Sequence, residues 1–340
     1  MRQGAYLDLD QFFDLAARNQ LALETNSAVP TPTRQTSDTR VPIAKQAAPS
    51  VESSRDAAGA RRTATSSQLP QWQKFVARAE LATERFPRPE VDTDIDHLLW
   101  GQTNRVLPVA VGVRVLANLL DGSDDVLATS WYQQATEVAT ALRHDLRRWD
   151  EDAKRPHGSR WATAFPEKKD SSVQRYVHQF LGVAGREGGS DGGAVFLGLV
   201  SIAGAGEDAR ATLTTSGASW TGLLNPILDA DGEPTRTFSD EEVRFFLNHL
   251  RDFRIGEYRF LNTMATLVAE GLTRDEQNEA IARAYPRWKS VASTMRAGGI
   301  GRLGDLGLLE RTRRGLNVDY RLSPLATSLG LPEATEEVER

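Results

Sequence analysis

The most constraining feature of this sequence is a short motif that recurs at a fixed offset. Phe196-Leu197-Gly198-Leu199-Val200 is echoed 109 residues later by Asp305-Leu306-Gly307-Leu308-Leu309. Without any gap, the same offset places Leu213-Thr214 on Leu322-Ser323. A constant offset carried across two landmarks is typical of one supersecondary unit present twice. The chain is therefore expected to fold around two copies of one unit.

Between its two landmarks, each copy has the residues of a β-hairpin. Segments that favour strands flank glycines that favour a turn. The predicted strands and turn glycines are Val200 to Ile202 and Ala211 to Leu213 around Gly204 and Gly206, and Leu308 to Arg311 and Val318 to Leu322 around Gly315.

A helical run that ends in Leu-Gly-Leu, followed by a hairpin that ends in Leu and a hydroxyl residue, resembles the winged-helix fold, particularly its MarR-like version. In that family the turn follows the recognition helix. For the C-terminal copy the resemblance implies a second helix from Thr273 to Tyr285, a third from Trp288 to about Leu306, and a wing from Thr312 to Val318. In the first copy the candidate third helix is Ser171 to Leu181, and the glycine-rich Gly185 to Gly193 follows it.

The tandem layout also looks like that of accessory proteins encoded in bacterial DNA-modification or phage-defence islands. The residues that carry this second resemblance are Asn225-Pro226-Ile227-Leu228-Asp229, which follow the first hairpin. It implies that the chain engages DNA as part of a larger system, and no catalytic motif accompanies it.

Helical periodicity predicts the remaining framework. The apolar run from Leu107 to Leu120, interrupted by Arg114, predicts a buried helix, since it is shorter than the roughly 20 residues that span a bilayer. One face of a second, long helix is predicted at Trp131, Ala135, Val138, Leu142, Leu146 and Trp149. Two capping boxes predict helix starts, one at Ser239 with Glu242 and one at Thr273 with Glu276.

These signals define an α+β, mostly helical protein with five segments. We expect a short helical segment at 1–24, a disordered Ser/Thr/Pro-rich tether at 25–70, and a helical region ending in the first winged-helix unit at 71–230. The second winged-helix unit is expected at 237–330, and an acidic tail at 331–340.

Composition limits the classes of function. The absence of cysteine excludes thiol nucleophiles, thiolate zinc sites and disulfides. Acidic residues at Asp8, Asp10 and Asp14 are unlike the basic start and apolar stretch of a signal peptide. We therefore expect a cytoplasmic protein with no membrane partner.

Positive charge is concentrated near the C-terminus, although the net charge of the chain is −5. From Arg283 to Arg321 there are nine Lys/Arg residues and three acids, an excess of six. Lys289, Ser293 and Arg296 share one helical face, as a helix in the major groove requires. The predicted contacts with double-stranded DNA are Lys289, Ser293, Arg296, Arg302, Arg311, Arg313 and Arg314.

Other interpretations stay open at this stage. The arginines could be solvated surface charges, and the chain could be a scaffold whose winged helices bind protein and whose Phe12 and Phe13 dock a partner. The first copy has fewer cations and could serve in packing or in a homodimer. Other subunits of a defence complex are further candidate partners.

An enzyme is the least favoured interpretation. Asp92, Asp94 and Asp96 with His97 could hold a divalent cation through oxygen ligands, but alternating acids more often mark a solvated helix start. The glycines at Gly298, Gly299 and Gly301 have no preceding strand and are expected either to bend the third helix or to let it pack closely. No catalytic residue, metal or cofactor is expected.

Overall fold

The computed structural model describes residues 70–183, 192–229, 233–314 and 317–333. All of these belong to one compact unit. The predictions for 1–24, for 25–69 and for 334–340 lie outside the described residues.

The described chain is α+β and mostly helical, as the sequence predicts. Its α-helices, numbered in chain order, are α1 (Leu107–Leu120), α2 (Ala128–Asp152), α3 (Asp170–Tyr176), α4 (Gly193–Phe196), α5 (Thr215–Thr221), α6 (Asp240–Phe253), α7 (Ile255–Ala269), α8 (Arg274–Ala284), α9 (Ala292–Asp305) and α10 (Pro324–Ser328). Short 3-10 turns lie at Gln71–Phe75, Thr83–Arg85, His157–Ser159, Trp161–Ala164, Gly206–Asp208 and Pro286–Val291, and a π-helical turn continues α3 over Val177–Leu181.

Five strands form two small antiparallel sheets. The strands are β1 (Val126–Leu127), β2 (Val200–Ala203), β3 (Arg210–Leu213), β4 (Leu309–Arg314) and β5 (Asn317–Leu322). The first sheet has the order β1-β3-β2, and the second is the hairpin β4-β5. Both predicted hairpins are therefore confirmed as elements, with Val200 opposite Leu213 and Leu309 opposite Leu322.

The backbone repeats its hydrogen bonds at the predicted offset, beginning at the Leu-Gly-Leu turn. Leu199 donates its amide to Ala194 at 3.0 Å, and Leu308 donates to Leu303 at 2.9 Å. The glycine just before each of these leucines has a positive φ, +70° in the first copy and +71° in the second. A left-handed residue here ends a helix at little steric cost only when it is glycine. This turn explains why Leu-Gly-Leu recurs.

The second landmark of the repeat ends the hairpin and begins a helix. Thr214 donates its amide to the carbonyl of Leu199 at 3.1 Å, and Ser323 donates to that of Leu308 at 3.0 Å. Each hydroxyl then caps the next helix, since Thr214 accepts from the Gly217 amide at 3.1 Å and Ser323 from the Ala326 amide at 3.2 Å. The hydroxyl residue is thus required by helix capping.

The other helix predictions are also confirmed. All but two residues of α1 are buried, and the predicted face of α2 is buried from Trp131 to Leu146, with Trp149 half-buried. Both capping boxes form, at the starts of α6 and α8. Among the described residues, no helix combines the length and apolar character needed to cross a membrane.

The third helix differs between the two copies. In the second copy the predicted helix begins as the 3-10 turn Pro286–Val291 and continues as α9. In the first copy, α3 and its π turn end at Leu181, and the short α4 supplies the turn equivalent to the end of α9. Most of the glycine-rich segment between them lies outside the described residues. Both copies contribute to one hydrophobic core, and the division at 230 and 237 stays a prediction.

Glycines let α9 approach other elements closely. A Cβ atom built on Gly298 would lie 2.5 Å from Cα of Gly101, and one on Gly299 would lie 2.8 Å from Cγ of Met264. Real Cβ contacts are longer, so any side chain at Gly298 would push α9 away from the 101–104 segment. The prediction that these glycines serve close packing is confirmed.

We expect Gly298→Ala to destabilise the fold and Gly304→Ala to leave it unchanged or slightly stabilised. The first adds a methyl group against backbone, which costs about 1–3 kcal/mol in a packed site. Gly304 lies in the same helix with nothing within 4 Å of a built Cβ, and alanine there gains up to about 1 kcal/mol of helix propensity. Urea unfolding midpoints of both variants measure the difference, and equal midpoints would contradict the close packing.

A buried polar network occupies the Asn225–Asp229 turn. Asp229 accepts two hydrogen bonds from the buried Arg114 of α1, at 3.0 and 2.9 Å. The side-chain oxygen of Asn225 accepts from two amides of its own turn, and its Nδ2 donates to the carboxylate of Glu242 at 2.9 Å. These residues connect α1 to the capping box of α6. The motif therefore has a structural role in this fold, which the sequence resemblance did not identify.

Two buried groups in this part of the core respond to pH in opposite directions. Burial raises the pKa of Glu242 from 4.5 to about 7, and burial lowers the pKa of His249 from 6.5 to about 4. Between pH 4.5 and 7 the folded state keeps a proton on Glu242 that the unfolded state has released, so stability falls as pH rises. For His249 the neutral form is favoured, so stability falls as pH drops from 6.5 towards 4.

We expect Glu242→Gln to remove the first of these two effects. The stability of the wild type relative to this variant should decrease as pH rises from about 5 to about 8, whatever constant cost the amide brings. Urea midpoints of both proteins across that range give the difference, and the contribution of His249 cancels in it. A difference independent of pH would show that Glu242 ionises normally.

Candidate nucleic-acid interface

The structure separates the predicted DNA-binding residues into exposed and buried groups. Lys289, in the 3-10 turn before α9, and Ser293, in its first turn, are exposed. Ala292 and Met295 are buried on the opposite side, and Trp288 is half-buried. The predicted division of this helix into a core side and a polar side is therefore confirmed for its N-terminal part.

The prediction that Arg302 contacts DNA is wrong. Its side chain is 1 % exposed and forms an ion pair with Glu257 of α7, with Nε 2.8 Å from Oε1. Its Nη1 also donates to the carbonyl of Thr103 at 2.8 Å. Helical spacing does not distinguish a buried arginine from an exposed one, because the partner that makes its burial tolerable lies 45 residues earlier in the sequence.

Asp305 extends this buried contact to the start of α1. Its Oδ2 accepts hydrogen bonds from the amides of Val106 at 2.7 Å and Leu107 at 2.8 Å. The helix has no capping side chain of its own, so a carboxylate from the second repeat caps the first helix of the first repeat. Burial raises the pKa of Asp305, while Arg105 and the two amides lower it. The last turn of α9 therefore joins the two repeats.

Removing one member of the ion pair should be far more harmful than replacing both. Arg302→Gln would leave the Glu257 carboxylate buried without its partner, at a cost of about 3–5 kcal/mol. The double variant Arg302→Met/Glu257→Leu should regain most of that stability, since apolar pairs often replace buried ion pairs without loss. Thermal unfolding of the two variants and the wild type gives the comparison, and a double variant as unstable as the single one would refute this account.

Arg296 is half-buried between helix and hairpin. Its Nε donates to Oδ1 of Asn278 on α8 at 3.0 Å. Burial lowers its pKa, and the charges of Arg274 and Tyr320 act on it. Since Tyr320 belongs to β5, Arg296 lies close to the hairpin.

The hairpin has two distinct faces because side chains alternate along a strand. On one face, Arg311 lies opposite Tyr320 in the register of the two strands. On the other, Glu310 and Arg321 form an ion pair at 2.6 Å. Arg313 is exposed near the tip. Arg314 ends β4, and its side chain is outside the described residues.

Ion pairs reduce the positive charge of this region. Arg283 lies 3.8 Å from Glu279, and Glu279 and Glu257 both fall outside the stretch over which the excess of six was counted. Including these two acids leaves an excess of four. The cationic surface is therefore smaller than the sequence predicts, and it centres on Lys289, Arg296 and the hairpin.

The third helix of the first copy carries less positive charge than that of the second copy. Lys169 lies 3.8 Å from Glu167, and burial lowers the pKa of His178, which favours its neutral form. This agrees with the thinner positive charge predicted for the first copy.

The acidic residues near position 92 form a turn. Asp92 accepts a hydrogen bond from the amide of Asp94 at 3.0 Å, and Asp94 accepts from the amide of Asp96 at 2.9 Å. Nδ1 of His97 lies against the second oxygen of Asp92. Within the described ranges, no group of three or more His, Asp or Glu side chains is arranged to hold a metal ion.

No family model, curated protein or solved structure matches this chain.

Proposed function

We propose that this chain is a non-catalytic DNA-binding protein built from two winged-helix units. It would act as a regulator or as the DNA-engaging subunit of a bacterial defence or modification system. The observation that carries the proposal is the geometry of the second repeat. Its helix α9 ends in the Leu-Gly-Leu turn that both copies share, and the polar N-terminal part of α9 is exposed beside a hairpin that bears arginines.

The exposed part of α9 is suited to insertion into the major groove of DNA. Recognition helices contact base edges chiefly through their N-terminal residues. Ser293 is exposed there, with Lys289 just before it, while Gly298 to Ile300 are buried. The buried half would fix the orientation of the helix, and the first turns would enter the major groove.

The hairpin supplies charge for the phosphate backbone. Arg313 is exposed on β4, and Arg314 follows it at the tip. Phosphate contacts from arginine and lysine set register and provide most sequence-independent affinity. In this proposal Arg302 has no part in DNA binding, and Arg296 contributes from a half-buried position.

DNA binding should depend on salt and on this surface. With three to five phosphate contacts, log affinity should fall with log salt at a slope of roughly −3 to −5. We expect Lys289→Ala/Arg313→Ala/Arg314→Ala to weaken binding and to reduce the slope by about 2.7. Fluorescence anisotropy of a labelled duplex at about 50 mM and about 200 mM salt measures both quantities.

The matched control removes the same charge elsewhere. Arg88, Arg147 and Arg251 are exposed and lie outside α9 and the β4-β5 hairpin. Their triple alanine variant should keep the wild-type affinity and slope. Equal weakening by both triple variants would mean that only net charge matters, and no salt-sensitive binding by the wild type would favour a protein-binding scaffold instead.

A further inference from the structure

A cleft of the described chain lies beside the β4-β5 hairpin and is lined by arginines. This cleft has a volume of about 490 Å³ and opens between the β4-β5 hairpin, the turns at 157–161 and the segment at 235–240. Its volume falls in the range of small-molecule sites, about 300–1,000 Å³. Four arginines line it: Arg105, Arg155, Arg236 and Arg311.

Carboxylates of the protein pair with three of these four arginines. Arg236 pairs with Asp240, and Arg155 lies 3.5 Å from the buried Asp150. Arg105 lies 3.5 Å from Oδ1 of Asp305, whose other oxygen caps α1. Among the described residues Arg311 forms no ion pair, so the uncompensated positive charge of the cleft lies on Arg311.

Arg311 and Arg105 converge on one residue. Nη2 of Arg105 donates to the carbonyl of Gly158 at 3.0 Å. The Arg311 guanidinium lies over the same glycine, 3.7 Å from the position of a Cβ atom there. An anion placed between the two guanidinium groups would attract both of them.

Arg311 also has an unused donor. Its Nε is buried and has no hydrogen-bond partner among the described residues. A buried donor without a partner costs about 1–3 kcal/mol, and an acceptor on a bound ligand that reached it would relieve this cost. The guanidinium fork matches the oxygens of phosphate better than any other common anion except carboxylate.

A planar surface adjoins this cationic corner. The Arg155 guanidinium stacks over the Trp161 ring with 3.5 Å between its carbon and the ring centroid, and both side chains line the cleft. Arginine planes supported in this way are surfaces on which nucleobases stack. Tyr320, opposite Arg311 on β5, adds another aromatic ring to the lining.

We infer that this cleft binds a mononucleotide, with its phosphate held by Arg105 and Arg311 and its base stacked against Arg155. The site is separate from the exposed face proposed to contact DNA. The inference does not depend on DNA binding, and its test uses no DNA.

Isothermal titration with the four nucleoside 5′-monophosphates, inorganic phosphate and unphosphorylated adenosine tests the inference. At least one nucleotide should bind the full-length protein more tightly than phosphate or adenosine. Arg311→Gln should weaken nucleotide binding roughly tenfold or more, the loss expected for one charge-assisted contact. Since Nε of Arg311 has no hydrogen-bond partner among the described residues and its guanidinium forms no ion pair there, this variant should keep its unfolding midpoint.

Two further variants make the test specific. Arg321→Gln removes an exposed arginine from the neighbouring strand of the same hairpin and should leave nucleotide affinity unchanged. Arg155→Lys keeps the charge but removes the planar surface, so it should weaken binding of the nucleotide while affinity for phosphate stays the same. The inference is overturned if no nucleotide binds at millimolar concentration, or if Arg311→Gln binds as tightly as the wild type.

Discussion

The arrangement of the two repeats depends on buried charges at the end of α9. Arg302 is paired with Glu257 and bonded to the Thr103 carbonyl, and Asp305, three residues later, caps α1. Buried charges are tolerable only when they are paired and hydrogen-bonded in one geometry. The pair with Glu257 fixes α9 against α7 within the second repeat, and the contacts with Thr103 and the start of α1 fix it against the 71–230 segment. The packing of Gly298 on Gly101 reinforces the same position through shape.

This arrangement gives one helix two roles. In the proposed function α9 is the recognition helix, and most of its C-terminal half is buried in the protein. Lys289 and Ser293 are exposed at its N-terminal end, whereas Gly298 to Ile300, Arg302, Leu303 and Asp305 are buried. The buried half removes rotational freedom from the exposed half, and a preorganised surface loses less entropy on binding. A rigid, short contact surface is thus a direct consequence of the repeat junction.

The sequence predicted what depends on local chemistry and failed where distant partners decide. The Leu-Gly-Leu turns and both capping boxes are set by residues within a few positions of each other, and they were predicted. The hydroxyl residues were predicted as part of the repeat, but their role as helix caps was not. The roles of Arg302, Asp305 and Arg114 were not, because their partners are tens to hundreds of residues away. Counting charges along the chain likewise treated Arg302 as surface charge. No pattern in the sequence predicted the cleft, because its arginines come from four separate segments of the chain.

The β4 strand links the two proposed sites. Arg311 and Arg313 lie two residues apart on the same face of the strand, yet the first is half-buried in the cleft and the second is exposed near the tip. Tyr320 lies opposite Arg311 on β5. An anion in the cleft would lower the positive potential of the hairpin, and unlike charges at this distance are only partly screened at physiological salt. Linkage then requires that nucleotide and DNA affect each other's affinity by the same factor. With both ligands carrying phosphate, the electrostatic part of that coupling is unfavourable, so occupancy of the cleft should oppose DNA binding.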